Sequence, residues 1–177
     1  MNRFKYLLDN IPARSSSGVL GIFPWGLIIN DKETSIKNQR LTFIDEGVEF
    51  LQIIASKQTP MVLFLNQFKP PVPMNALKEF ADAVEDFVKK QGVNLVGMYW
   101  CPGSDKKDPF VVPNAGMFHR VTENTGISWD GMPVISNNEL DLTAALKVKA
   151  LPIKIGGNST KWTTFASLTD WRNSQSN

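Results

Sequence analysis

The sequence predicts an α/β domain of three layers, with helices on both faces of a mainly parallel five-stranded sheet, and three observations carry that prediction. From Gly18 onward, short apolar runs alternate with segments of helical period, the pattern of successive βα units. The runs are apolar along their whole length, as in Met61-Val62-Leu63-Phe64-Leu65, which suits strands covered on both faces better than strands with one wet face. A chain of 177 residues, 42% hydrophobic and 20% charged, has the size and composition of one core.

Residues 1–17 hold a short amphipathic segment, Phe4, Leu7, Leu8 and Ile11, followed by Pro12 and Ser15-Ser16-Ser17, and are expected to form an N-terminal arm. The first strand is expected in Val19-Leu20-Gly21-Ile22-Phe23, interrupted by a turn at Pro24-Trp25-Gly26, with Leu27-Ile28-Ile29 beyond. Such a turn lies at the edge where α/β sheets bind ligands. Asp45-Glu46 opens a helix with Val48, Leu51 and Ile54 on its apolar face, closing near Lys57, and Met61 to Leu65 follows as the second strand. After Pro70-Pro71-Val72-Pro73, Asn75 is expected to cap a helix that carries Leu77, Phe80, Ala81, Val84, Phe87 and Val88 and stops at Gly92.

Val93 to Trp100 supplies a third strand, and a weaker helix with Met117, Phe118 and Val121 ends before Gly126. Met132 to Ser136 is the fourth strand, Asn138 with Asp141 three residues on is a near capping box, and Leu151 to Ile155 is the fifth strand. Trp162, Phe165, Leu168 and Trp171 are expected to fold back onto the domain. That domain spans 18–172, and residues 173–177 form a disordered tail.

Composition narrows the function classes. Nineteen Lys and Arg against 17 Asp and Glu give a formal charge of +2, and Lys89-Lys90 and Lys106-Lys107 sit beside acids, so no nucleic-acid surface is expected. No run approaches the length of a membrane span, no secretory leader is evident, and one cysteine suits a reduced, cytoplasmic setting. Cys101 and His119, the only residues of their kinds, cannot make a zinc site together, so none is expected.

Several pieces, read in order, resemble the haloacid dehalogenase superfamily, in particular its branch of heptose bisphosphate and histidinol phosphate phosphatases. They are Ile28-Ile29-Asn30, Phe43-Ile44-Asp45-Glu46-Gly47-Val48, Asn66-Gln67, Tyr99-Trp100-Cys101-Pro102, Pro113-Asn114-Ala115-Gly116-Met117 and Leu140-Asp141-Leu142. The resemblance covers roughly residues 18 to 157 and implies a Rossmann-like three-layer fold without a large cap domain. In active members, two carboxylates at the end of strand one supply the nucleophile and the acid/base around magnesium.

Aligned without a gap, this chain has Pro24 and Gly26 at those places, and a one-residue shift offers Phe23 and Trp25 instead. Leu65 stands at the phosphate-binding hydroxyl, Val112 at the lysine and Asn137 at the main metal carboxylate, while Asp141 remains and also suits the first turn of a helix. Some relatives bind zinc after a Cys-Pro pair, but here the run is Cys101-Pro102-Gly103-Ser104 with no second cysteine.

These substitutions lead to the expectation that the chain is not an enzyme, binds neither magnesium nor zinc, needs no cofactor, and acts as a scaffold for a protein partner. Phe23, Pro24, Trp25, Leu65, Phe68 and Val112 are expected to give an apolar mouth, with Trp25, Phe68 and the Pro70–Pro73 loop as interface anchors. Two alternatives stand beside it: a small-molecule site in which Asn66, Gln67, Ser136, Asn137 and Asn138 bind a neutral sugar or nucleoside, and a divergent phosphatase using an acid such as Asp31.

Overall fold

A computed structural model of the chain describes residues 18–30, 41–66, 73–103 and 105–174. The expected arm at 1–17, Asp31, Gln67, Phe68, Pro70 to Val72 and Ser104 lie outside them. Six strands form one sheet: β1 (Leu20–Ile22), β2 (Met61–Leu65), β3 (Leu95–Trp100), β4 (Pro133–Ser136), β5 (Leu151–Ile155) and β6 (Thr163–Phe165). All neighbours pair in parallel in the order β3-β2-β1-β4-β5-β6. The helices are α1 (Asp45–Ser56), α2 (Met74–Lys90), α3 (Gly116–Thr125), α4 (Glu139–Lys147) and α5 (Leu168–Ser174).

Strand alternation divides the apolar residues between two layers. Met61, Leu63 and Leu65 of β2 face one core with Leu51 of α1, Val84 of α2 and Trp171 of α5, whereas Val62 and Phe64 face the other with Phe118 of α3 and Ala144 of α4. Phe64 is fully buried, and its ring meets Phe23 at 5.0 Å, Phe118 at 4.5 Å and Trp129 at 5.5 Å between centroids. Trp129 donates its indole N–H to the Phe118 carbonyl at 3.2 Å, so its polar atom is satisfied inside this layer. A side chain at Gly21 would put its Cβ 3.0 Å from Trp129 Cζ3, so the bare backbone there is what lets the indole lie on β1.

Four features differ from expectation. The sheet has a sixth strand, because the tail folds back as β6 beside β5 before α5 seats Trp171 against Phe50. Leu27 to Ile29 do not continue β1: the Pro24 carbonyl accepts from the N–H groups of Leu27, Ile28 and Ile29, which coils the chain out of the sheet, and Ile29 then bridges Phe43. Asn75 does not cap α2. That helix starts two residues earlier than such a cap implies, at Met74, with Pro73 before it and no side-chain cap, and Leu77 N–H bonds to the Pro73 carbonyl at 2.9 Å. Finally, α5 runs to Ser174, so the segment expected to be a tail begins inside a helix.

Candidate functional site

In this strand order the connections diverge to either side between β1 and β4, and in such sheets ligands bind outside the carboxyl ends of the strands that flank the divergence. Phe23 N–H still pairs with the Ile135 carbonyl at 3.0 Å, after which the chain turns through Trp25 and Gly26. Gly26 has φ +69°, a left-handed backbone that glycine adopts without strain. Trp25 is only 8% exposed and stacks on Phe80 of α2 at 5.5 Å and 14°, while Phe23 packs into the opposite layer.

Leu65 and Val112 are buried as well, on opposite sides of the sheet. The expected apolar mouth is therefore not assembled from Phe23, Trp25, Leu65 and Val112, because these side chains are buried in the two cores on opposite sides of the sheet.

What remains at the edge is polar. Asp141, on the first turn of α4, is 3% exposed; one carboxylate oxygen accepts from Asn66 Nδ2 at the end of β2, and the other accepts from Ser136 Oγ of β4 at 2.7 Å. The same Ser136 oxygen accepts from Asn138 N–H at 3.0 Å, and Asn138 Oδ1 caps α4 by accepting from Leu140 N–H at 2.8 Å. Asn137 projects beyond this turn, donating its Nδ2 to the Trp25 carbonyl at 3.0 Å. Its amide lies over Gly26, where a Cβ would stand 2.6 Å from Nδ2.

The superfamily resemblance implies magnesium, which takes an octahedral set of oxygens and usually one or two carboxylates. Of the motif positions only Asp141 carries a carboxylate, and both its oxygens already accept hydrogen bonds. Asn137 has its nitrogen committed to Trp25, and among the described residues no group of three or more His, Cys, Asp or Glu is placed to hold a metal ion. The residues present do not fit the ion. Cys101 is buried, and burial pushes its thiol up from the ordinary value, so the reactive thiolate is disfavoured; His119 is exposed on α3.

Beside Asn137 opens a cleft of about 510 Å³. Its floor is Gly26 and Leu27, and its walls are Ile44 and Glu46 from the start of α1, Lys154 to Gly157 from the end of β5, and Ala166 to Leu168 leading into α5. Gly156 and Gly157 both have positive φ, at +81° and +67°, which swings the chain away from the sheet and leaves room at its edge. Glu46 accepts from Thr169 N–H at 2.7 Å, joining α1 to α5 across one wall. Lys154 bonds Glu139 of α4 at 2.7 Å, and that contact holds the Glu139 carboxyl below its ordinary range.

Of the residues singled out from sequence, Gly26 and Asn137 line this cleft. Asn66, Ser136 and Asp141 are tied together beneath it, Asn138 serves as a cap, and Gln67 and Phe68 lie outside the described residues. Glu46, Lys154, Ser167 and the glycine pair were missed. The signal that could have found them was Gly156-Gly157 immediately after a strand, with a lysine inside that strand's apolar run.

No family profile matches this sequence, and no curated protein matches it. Solved structures match in three dimensions. The D,D-heptose 1,7-bisphosphate phosphatase from B. bronchiseptica, complexed with magnesium and phosphate, superposes with a TM-score of 0.74 at 16% identity, over 89% of this chain and 97% of that one. A putative HAD-like phosphatase from Mesorhizobium loti gives 0.70 at 12% identity, over 90% and 85%. A dehalogenase with an intermediate complex gives 0.61 at 10% identity, over 93% and 99%.

The expectation that the chain is not an enzyme is overturned: the solved structures that share its architecture over most of their length include phosphatases and a dehalogenase. Substituted motif positions do not in themselves show that catalysis is lost. The chain has the Rossmann-like α/β fold of the haloacid dehalogenase superfamily.

Proposed function

We propose that the chain takes a small hydroxyl-bearing molecule, of the sugar or nucleoside class, into the cleft at the carboxyl edge of β1, β4 and β5. The observation that carries this reading is the cleft itself: its volume of about 510 Å³ is that of a small-molecule site, and its polar groups come from separate elements that converge on one space. With Nδ2 committed to Trp25, the Asn137 amide has its carbonyl oxygen left to accept. Ser167 Oγ accepts from Asp170 N–H at 3.0 Å and keeps its proton to donate.

Charge favours a neutral occupant. Lys154 is engaged by Glu139, and the Glu46 carboxylate stands in the same lining, so a phosphate dianion would be set against a like charge. A polyol can donate to one wall and accept from the other. A protein-scaffold reading has less behind it, because Trp25, one of its anchors, is packed against Phe80 in the core.

The test is a ligand-observed NMR titration of the full chain with neutral sugars, nucleosides and their phosphate esters, run beside an assay for released phosphate. Saturable binding of a neutral compound, weakened about tenfold in Asn137→Ala as suits one lost hydrogen bond, is the expected result. Preference for the esters, or phosphate release that depends on Asn137, would replace this reading with phosphoester chemistry.

A further inference from the structure

Asp141 stands where the superfamily resemblance puts a magnesium ligand, but its surroundings are those of an anchor. Its carboxylate is 3% exposed and faces two donors from two different strands, Asn66 Nδ2 from the end of β2 and Ser136 Oγ from β4. A cation at this carboxylate would meet the hydrogens of both donors and would have to displace them. A buried carboxylate is tolerated where hydrogen bonds to its charged form replace hydration, and this one has a bond at each oxygen.

The bonds also reach further than the pair. Ser136 Oγ accepts from Asn138 N–H at 3.0 Å, which fixes the turn that carries Asn137 out to the Trp25 carbonyl. We propose that Asn66, Ser136 and Asp141 form a cation-free lock that joins the carboxyl ends of β2 and β4 to the first turn of α4, occupying the structural place of a divalent ion. The lock does not depend on what the cleft binds.

The test compares thermal unfolding of the full chain in EDTA and in millimolar magnesium chloride, and follows manganese binding by electron paramagnetic resonance. The wild type is expected to unfold at the same temperature in both media and to leave the free manganese signal undiminished. Asn66→Asp, which sets two carboxylates face to face, should unfold several degrees lower in EDTA and be raised by magnesium. Asp141→Asn should also fall.

The reciprocal pair Asn66→Asp with Asp141→Asn exchanges donor for acceptor while Ser136 still has an oxygen to donate to, so it should recover most of the loss and be indifferent to magnesium. Stabilisation of the wild type by magnesium, stoichiometric manganese binding, or a double variant no better than the single ones would overturn the proposal. Where a variant does not fold, the wild-type cation measurements decide alone.

Discussion

Replacing Trp25 with alanine removes an indole that is 8% exposed and stacked on Phe80 at 5.5 Å. A side chain of this kind buries about 150–250 Å². At about 25 cal/mol per Å² that is roughly 4–6 kcal/mol of transfer free energy, an upper figure because the unfolded chain already hides part of its surface. Large-to-small changes in cores cost about 3–5 kcal/mol, and at this chain length each kcal/mol moves the midpoint by about 2–4 °C.

Trp25→Ala is therefore expected to unfold about 6–20 °C below the wild type by differential scanning fluorimetry, with a matching loss in urea denaturation. Trp25→Phe, which keeps a ring against Phe80, should lose much less. A midpoint for Trp25→Ala within about 1 °C of the wild type, far below that cost, would refute the core placement of the indole and return Trp25 to the surface.

Two further outcomes follow from the same packing and charge arguments. A Cβ at Gly47 would overlap the Leu27 carbonyl oxygen and the Ile28 Cα, both rigid backbone, so Gly47→Ala should lower the midpoint despite the roughly 1 kcal/mol that alanine adds to a helix interior; a raised midpoint would show that α1 can retreat. Glu139 is held below its ordinary value of 4.5 by the hydrogen bond from Lys154, so its contribution is present above that value and lost as pH falls through the lowered folded one. An NMR titration should place the Glu139 midpoint below 4.5 in the wild type and return it toward 4.5 in Lys154→Met, and an unchanged midpoint would remove Lys154 as the cause.

The interior of the sheet was legible because burial on both faces writes continuous apolar runs, and β2 and β5 fall on the runs read for them, Met61 to Leu65 and Leu151 to Ile155. The cap of α4 was legible for a local reason, since Asn138 bonds a backbone N–H two residues away. β6 was not, because Thr163–Phe165 is three residues long and forms a strand only by pairing with β5.

The cleft was harder to see for the same reason of distance. Glu46 reads as an ordinary first-turn acid and Lys154 as a strand residue, and the cleft that both line is completed only once the chain leading into α5 folds back. The aromatic mouth failed at Phe23 and Trp25: residues two apart share a face in a strand, and these two enter opposite cores only because the chain leaves β1 and turns after Phe23.

The most direct test of the cleft assignment is a ¹⁵N–¹H correlation spectrum of the full chain, recorded as the neutral sugar or nucleoside that binds best is titrated in. Shifts concentrated at Gly26, Asn137, Lys154, Gly156, Gly157 and Ser167, needing about tenfold more ligand in Asn137→Ala, are the predicted result. Saturable shifts that leave these residues unmoved and gather elsewhere, or no saturable shifts with any neutral compound, would contradict it.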